Sequence, residues 1–337
     1  MSLPLELWHI ILESIPHSDK RTLSSIALIS HVAYAAVVPM LYFDVQITGR
    51  ERQERFYEWI RSDSPFNPAG YVREYTMIIT ESDVASGEPR TRDPSALVRM
   101  QHLRKLTILR GPNVQSYIVM DTIPFYSLPE LRELQLDVHG RVEPDFLRFL
   151  SHCPALESLR LPGWGGMPDP PNDILPNLRK LSGSSSTILG FLPGRHVKEL
   201  ELTAGKGFLD VFDYFKLNPE SAARILSLSF PSPLYPMGPQ ASLESLLSCL
   251  PHLKELRLCA KRRWEIYHLY ALLHRLEKLV FHIWDPLDVS RDVHVALTVF
   301  YPFTYTPLGA GSTKPCLELW YRTERMLCQW RRSDKGY

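Results

Sequence analysis

The sequence predicts an α/β repeat protein, in which a small helical unit is followed by a solenoid whose repeats each contribute one short strand and a helical or irregular return. Three observations predict it. The pattern L-x-x-L-x-L recurs along most of the chain, and residues 1–42 carry three helical patterns separated by end signals. The 28 prolines are about 8% of the chain against a usual value of about 5%, which indicates many short connections.

The first 42 residues predict three short helices. Pro4 suits a first helical turn and Pro16 ends that helix. Asp19 and Ser30 are N-cap residues for a second helix and for a third that stops before Pro39. One apolar arc of the first helix holds Leu7, Trp8, Ile11, Leu12 and Ile15. Units this small are marginal alone, so the rest of the chain or a second protein must cover them.

Residues 3–8 read L-P-L-E-L-W, and together with the two following helices they resemble the F-box, in the form found in many fungal F-box proteins. The resemblance assigns residues 1–48 to an F-box that docks onto the Skp-type linker subunit of a cullin–RING ubiquitin ligase. Lys20 and Arg21 depart from the apolar pair usual in that family, and Tyr34 stands where a Trp or Phe is common. The residues that the resemblance implies for the linker contact are Leu3, Pro4, Leu7, Ile11, Leu12 and Ile15.

Residues 49–70 predict an amphipathic linker helix followed by a turn, and from 71 the chain repeats itself. Five clear copies of the leucine pattern begin at Leu103, Leu131, Leu156, Val197 and Leu253. Four weaker copies begin at Val72, Leu178, Ala223 and Leu276. Successive starts lie 19 to 31 residues apart, around the roughly 20–29 residues of leucine-rich repeats. Residues 71–286 are therefore predicted to form irregular leucine-rich repeats.

The segments between copies are predicted to return partly as helices, and the end of the chain breaks the pattern. The helical returns are expected at residues 146–150, 208–217, 242–250 and 264–276. Residues 287–337 are predicted to cap the open end with a strand pair at 316–321 and 326–330. Stacking such units buries the apolar side that one unit cannot bury alone.

Within each predicted strand, the residue between the last two apolar positions points to the concave side. The full row comprises Thr107, Gln135, Arg160, Ser182, Glu201, Ser227, Arg257 and Val280. Of these, Thr107, Gln135, Arg160, Glu201 and Arg257 are predicted to contact a protein substrate. Neighbouring positions such as Lys105, Glu133 and Glu199 make the expected surface a ladder of mixed charge. Strand positions that face solvent are usually polar whether or not they bind a partner. The alternative is therefore a solvated surface with no binding function.

Composition and motifs argue against several other classes of protein. A net charge of +1 supplies no field for nucleic acid or an anionic membrane. The five cysteines and twelve histidines show no metal-ligand spacing, and no cofactor is expected. The cysteines form no paired framework and the N-terminus lacks a signal-peptide pattern, which predicts a soluble protein of the cytoplasm or nucleus.

The leading expectation is a non-catalytic adaptor that joins a target protein to a Skp–cullin–F-box ubiquitin ligase. The alternative is an interaction module whose N-terminal helices only cap the solenoid and bury their apolar arc against residues 49–80. An enzyme is the third class considered, and no nucleophile–base pair or metal set in the sequence favours it.

Overall fold

The computed structural model describes residues 3–62, 67–80, 95–111, 127–137, 140–141, 144–162, 164–165, 170–203, 208–230, 248–260, 276, 278–283, 315–322 and 325–332. The chain divides into two compact units, Met1–Leu178 (unit 1) and Arg179–Tyr337 (unit 2). Both units are α/β, and in both the strands that carry the leucine pattern run parallel.

Unit 1 begins with three helices whose starts follow the sequence signals. They are α1 (Leu5–Glu13), α2 (Lys20–Ala27) and α3 (His31–Leu41). The Thr22 backbone N–H donates to Asp19 Oδ1 over 3.1 Å, and the Ala33 N–H donates to Ser30 Oγ over 3.1 Å. Both predicted N-caps are confirmed, because each side chain accepts from an amide that the helix itself leaves unpaired.

The predicted stop of α3 before Pro39 is wrong, since the helix continues to Leu41. Proline removes one helical hydrogen bond, yet the following turn is closed by other donors. The Tyr42 N–H donates to the Val38 carbonyl over 3.1 Å. Lys20 Nζ donates to the carbonyls of Leu41 (2.8 Å) and Met40 (3.2 Å). The Lys20 side chain therefore caps the end of α3.

The sheet of unit 1 has five parallel strands. In sheet order they are β1 (Asp44–Thr48), β2 (Glu74–Ile79), β3 (Lys105–Arg110), β4 (Glu133–Leu136) and β6 (Ser158–Leu161). Short strands β5 (Gly140–Arg141) and β7 (Trp164–Gly165) pair separately. Tyr75, Leu106, Leu134 and Leu159 align across β2, β3, β4 and β6, each at most 2% exposed. β1, which no repeat copy predicts, follows α3 and buries Ile47.

The remaining described helices of unit 1 are α4 (Arg50–Arg61), a 3-10 turn (Pro68–Tyr71), α5 (Ser95–Arg99) and α6 (Pro144–Ser151). Among them, α4 agrees with the expected linker helix and α6 with the first helical return, whereas α5 was not predicted. Aromatic rings connect α4 to its neighbours. The Trp59 ring lies 5.0 Å from Tyr42 at the end of α3, and the Phe56 ring stacks on Tyr75 of β2 at 6.0 Å. Burial raises the pKa of Tyr75 well above its ordinary value.

In unit 2, five parallel strands are followed by an antiparallel pair. The parallel strands are β8 (Lys180–Gly183), β9 (Glu199–Leu202), β10 (Ser227–Ser229), β11 (Glu255–Ala260) and β12 (Lys278–Ile283). The pair is β13 (Pro315–Arg322) with β14 (Arg325–Arg332), and β14 lies against β12. The described helices are α7 (Ser185–Phe191), α8 (Phe208–Leu217) and α9 (Pro219–Arg224). The final strand pair and the 208–217 helix are confirmed, whereas most of the returns at 242–250 and 264–276 lies outside the described residues.

All nine copies of the leucine pattern coincide with strands, but the copy placed at Ala223 has the wrong register. Its buried residues are Ile225, Leu228 and Phe230, at 0%, 0% and 2% exposure. Leu228 pairs with Leu200 of β9 and Leu256 of β11, so the true copy begins at Ile225, two residues later than predicted. The predicted copy Ala223, Leu226 and Leu228 has the same apolar spacing, so spacing alone did not distinguish the two registers.

Candidate partner-binding surfaces

Helix α1 is apolar on two adjacent sides, and only one of them is covered. Trp8 and Leu12 are 5% and 2% exposed and belong to a core with residues of α2 and α3. The other members of that core are Leu23, Ala33, Ala36 and Val37. Leu3, Leu7 and Ile11, by contrast, are 44%, 44% and 39% exposed. The apolar arc predicted from the sequence therefore has two parts. One part packs against α2 and α3, and the other part is exposed.

The outward side of the helical region holds more apolar surface than the family resemblance predicts. Ile10 of α1 is 64% exposed and lies about 60° around the helix from Leu7, on the side away from Ile11. We refer to Leu3, Leu7, Ile10 and Ile11 as the α1 face. Leu28 and Ile29, which follow α2, are 88% and 64% exposed. Scattered exposed leucines are common, but several on one helix indicate an interaction surface.

Four of the six residues assigned to the linker contact lie on the exposed side. Pro4 is exposed together with Leu3, Leu7 and Ile11. Leu12 is part of the core, so it does not belong to the α1 face. Ile15 is partly buried and packs against the same core. The difference follows from helical geometry, because Leu12 lies about 100° around the helix from Ile11.

The midstrand row of unit 1 contains Thr107, Gln135 and Arg160, which align across β3, β4 and β6. Gln135 and Arg160 are partly buried. Thr107 is only 5% exposed, and its Oγ1 has no hydrogen-bond partner among the described residues. The expectation of solvent exposure at Thr107 is therefore wrong, while these three predicted residues do lie side by side.

In unit 2 the corresponding row is polar and internally bonded. Ser182 Oγ donates to Glu201 Oε1 over 2.9 Å, and Arg257 Nε donates to Glu255 Oε1 over 2.7 Å. The residue in register with Glu201 and Arg257 is Ser229 rather than the predicted Ser227. Ser182 is 1% exposed, whereas the side chain of Arg257 is 47% exposed.

The expected ladder of mixed charge is present at the first position of the strands. Lys105 Nζ lies 3.7 Å from Glu74 Oε2 and 3.6 Å from Glu133 Oε2. In unit 2, Lys180 Nζ lies 3.4 Å from Glu199 Oε2. Half-exposed pairs of this kind contribute about 0–1 kcal/mol each, so they shape the surface more than they stabilise it.

Chemically reactive side chains are sparse in the described part of the chain. Burial raises the pKa of the Cys153 thiol to about 12, which keeps it protonated and unreactive. His102 Nδ1 lies 2.8 Å from Glu130 Oε1, and this hydrogen bond lowers the pKa of the carboxyl. Within the ranges described, no group of His, Cys, Asp and Glu side chains is placed to hold a metal ion. Nor does any described helix have the length and apolar character needed to span a membrane.

Comparison of the sequence with known protein families finds no family model that matches, and comparison with curated proteins finds no match.

Proposed function

We propose that this chain is a non-catalytic substrate-recognition adaptor of a Skp–cullin–F-box ubiquitin ligase. In this proposal the N-terminal helices act as an F-box that binds the Skp-type linker subunit, and the leucine-rich repeats bind a target protein. The observation that carries it is the α1 face, since Leu3, Leu7 and Ile11 stay about two-fifths exposed on a helix whose other apolar side is buried.

The energetics support a protein partner for this face. Fully burying a leucine or isoleucine side chain stabilises by about 1.5–3 kcal/mol. Because roughly half of each side chain in the α1 face is still exposed, covering it contributes about 1 kcal/mol per residue. Four such residues in one patch supply on the order of 4 kcal/mol, a useful share of the roughly 8 kcal/mol of a micromolar complex.

The exposure also bears on the rival proposal, an interaction module whose N-terminal helices only cap the repeats. That rival expects Leu3, Pro4 and Leu7 to be buried against residues 49–80. The buried residues of the helical core all lie between Trp8 and Val37, within the helices themselves. This arrangement favours an external partner over a cap.

A joint between the helices and the sheet supports the mechanism proposed for the adaptor. Tyr42, Phe56, Trp59 and Tyr75 link α3, α4 and β2 through ring contacts of 5.0–6.5 Å. Tyr57 adds a hydroxyl contact to Tyr75 at 3.3 Å. A packed joint holds a bound target at a set distance from the ligase. Transfer is then promoted by proximity, without catalytic chemistry in this chain.

The test is co-purification of the full chain with a Skp-type linker subunit. The double variant Leu7→Ser/Ile11→Ser removes half of the α1 face without touching the helical core. The matched control is Leu217→Ser, which changes a leucine that is 81% exposed at the end of α8. We expect linker recovery to fall by about tenfold or more for the double variant, from the roughly 2 kcal/mol of lost burial.

The control variant should recover the linker as well as the wild-type chain does. Thermal unfolding of all three proteins shows whether each is folded. Equal recovery by the wild type and a folded double variant would contradict linker binding through α1, and the cap proposal would then be preferred.

A further inference from the structure

A row of basic residues borders the sheet of unit 2, outside the surfaces described so far. We call the residues that immediately precede the parallel strands the entry row; the described ones in unit 2 are Arg179, Lys198, Leu226 and Lys254, and Glu277, which precedes β12, lies outside the described residues. Backbone hydrogen bonds stack them in sequence. The Lys198 N–H donates to the Arg179 carbonyl over 2.7 Å, and the two further steps along the row each measure 2.8 Å. The row therefore advances by one strand spacing, about 4.8 Å, at each residue.

This edge of the unit 2 sheet carries positive charge on exposed side chains. Arg179, Lys198 and Lys254 are all exposed. Two residues before each of the last three positions stand His196, Arg224 and His252, which widen the same edge. Arg224 Nη1 donates to the carbonyl of Arg195 over 3.3 Å. Because a carbonyl has no net charge, this hydrogen bond does not neutralise the Arg224 guanidinium.

In the equivalent row of the unit 1 sheet, two of the three arginines face acids, and the third, Arg73, donates to the carbonyl of Gly70 over 2.7 Å. Arg132 Nη1 lies 3.5 Å from Glu157 Oε1, and both residues are in that row. Arg104 Nε lies 3.8 Å from Glu130 Oε2. In this respect the two units differ although the repeat positions are the same.

The two acidic residues that directly follow Lys198 and Lys254 in sequence pair with basic residues of the strands. Glu199 pairs with Lys180 at 3.4 Å, and Glu255 pairs with Arg257 at 2.7 Å. Arg179 and Lys198 have no acidic partner among the described residues. Two adjacent exposed cations with no internal counter-charge constitute a surface that an anionic partner would complement.

The dimensions and residue types of the edge distinguish among anionic partners. From Arg179 to Lys254 the row covers three strand spacings, about 14 Å, which equals four or five residues of extended peptide. Single-stranded nucleic acid is bound through aromatic stacking platforms. The entry row and its three companions contain no Phe, Tyr or Trp. These features favour a short peptide rich in carboxylates.

We propose that the entry row of unit 2 binds an acidic segment of a protein partner, with Arg179 and Lys198 as the main contacts. The proposal rests on the proposed function in one respect, namely that the protein carrying this segment would be the target of the adaptor. An extended peptide rises about 3.3 Å per residue and its side chains alternate between two sides, so glutamates two positions apart lie about 6.6 Å apart on one side. The long side chains of Arg179 and Lys198 can span that distance.

The experiment measures binding of fluorescent hexaglutamate to the full chain by anisotropy, with hexaglutamine as the uncharged control. Hexaglutamate should bind and hexaglutamine should not, and added salt should weaken the binding because exposed charges are screened. The double variant Arg179→Gln/Lys198→Gln should weaken hexaglutamate binding by about tenfold, the effect of losing two surface ion pairs of roughly 0.7 kcal/mol each.

The matched control is Arg104→Gln/Arg132→Gln, which removes two charges from the same repeat positions in unit 1. Because those arginines already face acids, this control should change the affinity by less than about twofold. Equal weakening by both variants, or equal binding of the two peptides, would overturn the proposal. A single-stranded oligothymidine that competes better than hexaglutamate would also overturn it.

Linker co-purification with the same preparations separates this proposal from the proposed function. The Arg179→Gln/Lys198→Gln variant should still recover the linker, and the Leu7→Ser/Ile11→Ser variant should still bind hexaglutamate. Loss of peptide binding alone therefore bears on the entry row, and loss of linker recovery alone bears on the α1 face.

Discussion

The leucines of helix α1 and the leucines of the unit 1 sheet have opposite surroundings. In the sheet, Leu106, Leu134 and Leu159 align from strand to strand and are 2%, 1% and 0% exposed. Leu7 of α1 and Leu3, which lies two residues before the helix, remain 44% exposed. A repeat buries its apolar residues by stacking on the next repeat, whereas a short helix has one covered side. The difference shows which apolar residues the chain buries itself and which it leaves exposed.

The largest expected effect comes from removing a leucine on each side of this comparison. Leu159→Ala should lower the free energy of unfolding by about 3 kcal/mol, since it empties a fully buried site. Leu7→Ala should change it by no more than about 0.5 kcal/mol, because half-exposed positions carry little packing. Urea denaturation followed by circular dichroism measures both. Similar losses for the two variants would mean that α1 is covered within the chain.

A smaller effect tests how far the helices depend on local caps rather than on packing. Ser30→Ala should lower the free energy of unfolding by about 1 kcal/mol, because the Ala33 N–H loses its acceptor. The matched control is Ser24→Ala, an exposed position within α2 where alanine favours the helix. Thermal unfolding compares the two. A control that destabilises as much as the cap variant would show that Ser30 does not act as a cap.

The smallest effect is a pH dependence at the second cap. The hydrogen bonds from Thr22 lower the pKa of Asp19 below its ordinary value of 3.8 in the folded chain. A lowered folded pKa means that the unfolded chain binds the proton first, so this contribution is present above pH 3.8 and is lost as pH falls through the folded pKa. Asp19→Asn keeps a capping oxygen without the titration. The melting temperature of the wild type should fall more steeply below that pH than that of the variant, and parallel profiles would refute the assignment.

Periodic features of the sequence predicted much of the fold. The caps Asp19 and Ser30, the helix 208–217 and the terminal strand pair were all readable, because each depends on neighbours within a few residues. Strand β1 was missed because its residues 44–48 follow a helix and carry no copy of the pattern. The register of β10 was misread because Ala223, Leu226 and Leu228 have the same spacing as Ile225, Leu228 and Phe230, and only pairing with β9 and β11 distinguishes the two.

The surfaces were less predictable than the strands. Helical spacing placed Leu7, Ile11 and Leu12 on one arc, but spacing cannot say where the covered side ends. Thr107 likewise stands at a polar strand position and is nevertheless buried. The charge of an edge depends on which residues neighbouring strands bring together, as Arg132 meets Glu157 in unit 1 while Arg179 and Lys198 lie side by side in unit 2.

The amino-acid sequence by itself determined the starts of the second and third helices, the linker helix, the positions of the nine repeated strands and most of the residues that fill their core, because hydrophobic period and capping act over short stretches of chain. The tertiary structure alone decided which side of α1 remains uncovered, which polar strand residues are buried and which basic residues lack an acid among the described residues. The physical reason is that exposure and electrostatic neighbours are set by contacts between segments distant in sequence, and no local pattern encodes those contacts.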